Sequence, residues 1–129
     1  MSYCFTKEMN TDFDNAIELV TAKLKEKGFG VLTNIDIQAT LKKKIDVDFY
    51  KYTILGACNP HLAHKALLAE DKVGIMLPCN VIVQQKSADA KVEVSAVDPI
   101  ASMSAIENEN LGGLAMEVQV LLKSVIEEL

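Results

Sequence analysis

The sequence predicts an α+β fold in which helices cover one face of a mostly antiparallel sheet. Amphipathic helical stretches stand near the two ends of the chain, and segments with the alternation of strands stand between them. The chain has 129 residues, a length that favours one domain with roughly two-thirds of its surface buried and therefore a core without disulfides. We expect residues 1–129 to form a single domain.

The first strand and the first helix are predicted from the first 28 residues. Weak alternation over residues 2–9 indicates a strand. Apolar positions at helical spacing predict a helix over about residues 12–27. Thr11 and Asp14 before it resemble a capping box, and Gly28 stands where a left-handed C-cap is needed.

The middle of the chain predicts two strands and two short helices. Residues 30–37 indicate the second strand, and the lysine-rich residues 39–45 indicate a short helical turn. Residues 50–58 indicate a third strand that is apolar on both faces near its end, which directs that end toward the interior or a pocket. Pro60 is well placed in the first turn of a helix over residues 60–70.

The remaining elements are a hairpin and a final helix. Residues 73–84 indicate a fourth strand, and Pro78 within it implies an edge or a bulge because proline cannot donate to a central ladder. Residues 91–97 alternate cleanly and indicate a fifth strand. Apolar residues at helical spacing over 114–129 predict a final helix, with Gly112 and Gly113 in its first turns, where they weaken its start.

Charge and cysteine usage exclude several classes of protein. All 13 basic residues are lysine, and the formal net charge is −5. An acidic chain without arginine makes a poor nucleic-acid binder. Because no apolar run approaches the ~18 residues needed to cross a bilayer, we expect no membrane partner. Three cysteines are too few for a disulfide framework, and the first residues do not resemble a secretory signal, so we expect a cytoplasmic protein.

Groups that could carry chemistry concentrate in two segments. Cys58-Asn59 and Cys79-Asn80 each stand at a predicted strand end or break, and His64 follows Cys58 by six residues. Thiol, imidazole and amide groups are typical of a soft-metal site or a reactive thiol. Motifs for nucleotide hydrolysis, serine esterase chemistry and zinc peptidase chemistry are absent from the sequence.

The same segments resemble a known protein family. The stretch YTILGACNPHLAHKALLAEDKVGIMLPCNVIV, at residues 52–83, and VSAVDP, at residues 94–99, are similar to the core pattern of the family called domain of unknown function 302. The resemblance implies a TATA-binding-protein-like order of strand, helix, four strands and helix. It implies no activity, and the fold analogy does not transfer DNA binding because fold does not imply function.

Three functions remain open from the sequence. The first is a binding module that holds a small ligand or a soft metal ion near Cys58, Asn59, His64, Cys79 and Asn80. The second is a thiol-dependent enzyme with one of the two cysteines as nucleophile and His64 as base. The third is a structural homodimer that pairs through its uncovered sheet face, and a homo-oligomer, most simply a dimer, suits the first function as well.

Each candidate residue also has a purely structural explanation. Free cysteines usually pack as small hydrophobic residues, and asparagines beside strand ends usually form turns. We expect Cys58 and Cys79 to lie together at one end of the sheet, with His64 overhanging them from the helix that starts at Pro60. Sulfurs on opposite faces of the sheet would exclude a shared site. The sequence names no cofactor.

Overall fold

A computed structural model describes residues 2–129 and contains one five-stranded sheet. Every neighbouring pair of strands is antiparallel, and the spatial order is β1-β5-β4-β3-β2. The predicted α+β class, the antiparallel sheet and the order of strand, helix, four strands and helix are confirmed, with additional short helices. The strands are β1 (Cys4–Met9), β2 (Gly30–Asp36), β3 (Lys51–Cys58), β4 (Cys79–Gln85) and β5 (Val92–Val97).

Across residues 2–129, five α-helices and one 3-10 helix accompany the strands. The α-helices are α1 (Phe13–Glu26), α2 (Ile37–Ile45), α3 (Pro60–Ala69), α4 (Pro99–Ser102) and α5 (Glu109–Glu127), and the 3-10 helix is Asp71–Met76. Within residues 2–129, each of these helices is too short or too polar to cross a membrane.

The ends of α1 show how local sequence sets a helix boundary. Its N-cap is Asp12, whose carboxylate accepts a hydrogen bond of 2.8 Å from the backbone amide of Asn15. The predicted cap, Thr11, instead accepts from the Asn15 side chain. A carboxylate at the N-cap satisfies an orphan amide and also favours the positive end of the helix dipole. At the other end, Gly28 has a φ of 88°, so the predicted left-handed cap is confirmed.

Strand alternation sorts the side chains of the sheet onto two faces. Helices α1 and α5 cover one face, which contains the main core, including Val81, Val83, Val92 and Val94 together with Leu24 of α1. Residues directly opposite in an antiparallel pair share a face. The register therefore gives the other face, here called the open face, these residues: Cys4, Thr6, Glu8, Thr33, Ile35, Tyr52, Ile54, Gly56, Cys58, Asn80, Ile82, Gln84, Glu93, Ser95 and Val97.

One predicted strand boundary is wrong. The first six residues of the predicted strand 73–84 do not pair with the sheet, and most of them belong to the 3-10 helix. Val73 is fully buried in a second, smaller hydrophobic cluster with Ala66 and Leu111. Packing against helices thus explains an apolar run whose pattern also suits a buried strand.

The final helix starts at Glu109, so the prediction that Gly112 and Gly113 lie in its first turns is confirmed. Asn108 caps it, since its side chain accepts a hydrogen bond of 3.0 Å from the backbone amide of Asn110. Gly112 and Gly113 lie inside the helix despite their low helix propensity. The cap and the burial of Leu111 outweigh that propensity.

Candidate functional site

A cavity of about 40 Å³ lies at the end of the sheet where β3 finishes and β4 begins. It occupies the seam between the main core and the smaller cluster that includes Val73. Apolar groups form nearly all of its surface. Its walls comprise Phe29, Ala57, Cys58, Asn59, Leu62, Ala63, Ala66, Leu77, Pro78, Cys79, Met103, Leu111, Leu114, Ala115 and Val118.

The turn between β3 and α3 forms one rim of the cavity. The Asn59 side chain accepts a hydrogen bond of 3.2 Å from the amide of Leu62, so Asn59 is the N-cap of α3. Pro60 follows at the start of the helix, where its missing N–H costs little. The cap and the proline together fix the direction in which α3 leaves the sheet. That direction presents the buried residues Leu62 and Ala66 to the cavity.

The two cysteines of the motif lie on adjacent strands at the same end of the sheet, as predicted. Cys79 is paired directly with Ala57, the neighbour of Cys58. Because opposite residues share a face and successive residues alternate, the side chain of Cys79 lies on the helix-covered face and that of Cys58 on the open face. Both residues nevertheless line the same cavity, and Cys58 contributes to the raised pKa of Cys79. Cys58 borders the cavity at the strand end, whereas Cys79 is part of its buried wall.

The Cys79 thiol is held in its neutral form. Its residue is only 7% exposed, and burial, with a smaller contribution from Cys58, raises its pKa to about 11. A low-dielectric surrounding disfavours the charged thiolate. At neutral pH this thiol consequently acts as an apolar wall group with a weak S–H donor.

His64 does not overhang the cavity. It is exposed, as is His61, and it lies outside the set of lining residues. The cavity side of α3 is the side of Leu62 and Ala66. Because each helical residue is rotated by about 100° from the last, His64 points roughly away from Leu62. The predicted meeting of imidazole and thiol is therefore wrong.

The two asparagines also separate. Asn59 lines the cavity and caps α3, whereas Asn80 is exposed on the open face, opposite Gly56. Of the five predicted site residues, the cavity therefore includes Cys58, Asn59 and Cys79. Among residues 2–129, no three His, Cys, Asp or Glu side chains are grouped so that they could hold a metal ion.

Sequence reasoning missed the far wall of the cavity. Phe29, Met103 and four residues of α5 contribute there, and they are distant in sequence from the Cys-Asn dipeptides: Leu111, Leu114, Ala115 and Val118. The helical spacing of Leu114 and Val118 is visible in the sequence, and it correctly marks them as facing inward. That spacing does not reveal which strand end they face, because the packing of α5 depends on long-range contacts.

Comparisons with known proteins identify relatives by family and by fold. No curated protein matches the chain. The crystal structure of an uncharacterised conserved protein DUF302 from Bacillus stearothermophilus is similar in fold, with a TM-score of 0.90, 24% sequence identity and 98% of each chain covered. The model of the family "Domain of unknown function DUF302" matches residues 5–129. The chain therefore belongs to the DUF302 family.

Proposed function

We propose that this protein is a binding module whose cavity takes the short aliphatic part of a small molecule. The observation that supports the proposal is the apolar cavity beside Cys79, at the seam between the two hydrophobic clusters. Ligand sites are usually apolar concavities with few polar groups. Here the polar groups lie at the rim, on Asn59 and Cys58.

The size and the walls of the cavity restrict the ligand. About 40 Å³ has room for a few water molecules, but apolar walls give such waters few hydrogen-bond partners. A branched or straight alkyl group of a few carbons gains about 0.8 kcal/mol for each methylene that it buries. A polar head group on the same molecule stays at the rim, in contact with water and the Asn59 amide.

A thiol-dependent enzyme and a soft-metal site have less support. A thiol-dependent enzyme needs a thiolate and a base, but the pKa of Cys79 is raised to about 11 and His64 is exposed on the other side of α3. A soft metal ion needs several converging donors, and among residues 2–129 no three His, Cys, Asp or Glu side chains are grouped to supply them.

Chemical-shift titration tests the proposal directly. Straight-chain alcohols from ethanol to hexanol are added to isotopically labelled protein, and the methyl signals of Leu62, Leu114 and Val118 are followed. We expect saturable shifts at these methyls and tighter binding with each added methylene until the cavity is full. Copper(I) and zinc serve as comparison ligands and are expected to leave these methyls unchanged.

A filled-cavity variant provides the matched control. Ala63→Leu adds three carbons to the α3 wall and is expected to abolish the shifts. Ala22→Leu makes the same change on an exposed position of α1 and is expected to preserve them. Methyl shifts that never saturate, or that persist unchanged in Ala63→Leu, contradict the proposal.

We also propose that the protein works in the reducing cytoplasm. All three cysteines are free thiols, a condition that cytosolic reductants maintain. Fractionation of the source cells with an antibody to the chain tests this location, and recovery in a secreted fraction contradicts it.

A further inference from the structure

The open face contains an apolar row that runs across three strands. The register pairs Ile35 with Ile54 and Ile54 with Ile82, so the three isoleucines lie side by side on β2, β3 and β4. Ile35 is 43% exposed. A sheet face that is in contact with water usually carries polar side chains at alternate positions. Three adjacent isoleucines, from the edge strand β2 to the central strand β4, with Ile54 and Ile82 partly exposed, are instead typical of a surface that becomes covered.

The same row continues into polar groups that already bind one another. Ile82 pairs with Ser95, and Ser95 pairs with Thr6. The Thr6 and Ser95 hydroxyls are 2.8 Å apart and hydrogen-bonded. Residues paired across the strands are said to lie at one level. Two residues further along β4, at the level of the Gln84–Glu93 pair, the Gln84 amide donates to the Glu93 carboxylate at 3.2 Å. A covering surface therefore leaves these groups with partners, which avoids the usual cost of burying polar atoms.

The size of the open face matches the requirement of a dimer. Five strands spaced about 4.8 Å apart, with about six residues each at about 3.4 Å per residue, give a footprint of about 500 Å² per copy. Two copies then bury about 1,000 Å², which reaches the lower bound for a specific interface. Glu8 and Glu93 on this face disfavour an anionic partner such as a nucleic acid or an acidic membrane surface.

We propose that the open face binds the open face of a second copy of this chain, about a two-fold axis that runs along β4. Residues near such an axis meet their own copies, so Ile82 packs against Ile82 of the second chain. The two-fold rotation places β3 of one copy over β5 of the other. Because the axis is parallel to the strands, each residue keeps its position along the strand direction. Tyr52 and Glu93 lie on the same level. The Tyr52 hydroxyl therefore donates to the Glu93 carboxylate across the interface, twice per dimer.

Sedimentation equilibrium at micromolar concentrations tests the dimer. We expect the wild-type protein to have twice the 14.1 kDa mass of the chain. Ile82→Glu sets two carboxylates against each other at the axis and is expected to give a monomer. Val120→Glu makes a similar change on α5, at a side chain that is 64% exposed, and is expected to remain a dimer.

A milder variant keeps the test decisive if Ile82→Glu fails to fold. Tyr52→Phe removes only the hydroxyl and is expected to raise the dimer dissociation constant at least about tenfold, since a hydrogen bond to a charged group is lost at two symmetric positions. Circular dichroism checks that each variant is folded. A monomeric wild type overturns the proposal, and so does a folded Ile82→Glu protein that stays dimeric or a Tyr52→Phe protein with an unchanged constant. Loss of the dimer in Val120→Glu also overturns it.

Discussion

Alkylation of Cys79 in the folded protein is expected to be at least about 100-fold slower than alkylation of the same thiol in the unfolded chain. Burial raises the pKa of Cys79 from 9.0 to about 11. Each pKa unit lowers the thiolate fraction tenfold at a pH below both values, and the thiolate is the reactive species. The 7% exposure of the residue slows the reaction further by limiting access to the sulfur.

Local or global opening does not remove this protection. A stability of about 5 kcal/mol leaves roughly one molecule in several thousand unfolded. Alkylation through these unfolded molecules is therefore more than about 100-fold slower than alkylation of the fully unfolded chain. The protection therefore reports the folded environment of the thiol.

Tryptic peptides separate the three cysteines. Cleavage at lysine releases Cys79 within residues 73–86, Cys58 within residues 52–65 and Cys4 within residues 1–7. Protein is exposed to iodoacetamide at neutral pH for increasing times, with and without urea, and each peptide is quantified by mass spectrometry. If Cys79 of the folded protein is alkylated at a rate within tenfold of its rate in urea, the predicted protection is wrong and a reactive-thiol function is supported.

Three other predictions concern stability and are measured by thermal or denaturant unfolding. The free energy of unfolding is expected to fall by about 2–3 kcal/mol as pH rises from about 9 to about 11, because the unfolded thiol of Cys79 ionises at the lower pH while the folded one stays protonated. In the Cys79→Ala variant, the free energy of unfolding should fall less over the same pH range. Gly56→Ala is expected to lower the free energy of unfolding by about 1–3 kcal/mol, because a Cβ there meets the Thr33 hydroxyl and lies 2.8 Å from Pro78. Adding Thr33→Ala should restore part of this loss. Gly30→Ala is the control and should show little steric loss, because the space around its Cβ position is open. Gly112→Ala, also with open space, is expected to stabilise α5 by about 1 kcal/mol, and an unchanged melting temperature would contradict this.

Helices and strands were predicted correctly where the hydrophobic periodicity and a residue at the end of the segment indicate the same element. Residues 91–97 alternate cleanly, and Val92–Val97 form β5; Gly28 marks the end of α1 with a positive φ. The short apolar run before Pro78 has no such agreement, since its pattern suits both a buried strand and the 3-10 helix that forms.

The candidate site was only partly predictable because sequence proximity does not determine direction. His64 is close to Cys58 in sequence, but the rotation of α3 turns it away from Leu62 and Ala66. Strand alternation, which is visible in the sequence, separates Cys79 from Asn80. The relation between Cys58 and Cys79 depends on the register of β3 against β4, and the residue patterns of these two short strands do not determine that register.

This register also gives the two proposals separate chemical reporters. Cys79 belongs to the cavity wall, whereas Cys4 lies opposite Val97 on the open face. A ligand in the cavity limits access to Cys79 and leaves Cys4 unchanged, whereas dimerisation protects Cys4 more strongly as the protein concentration rises. The tryptic peptides distinguish the two thiols within one digest. Because each thiol responds to a different side of the same sheet, either proposal can fail in this experiment while the other stands.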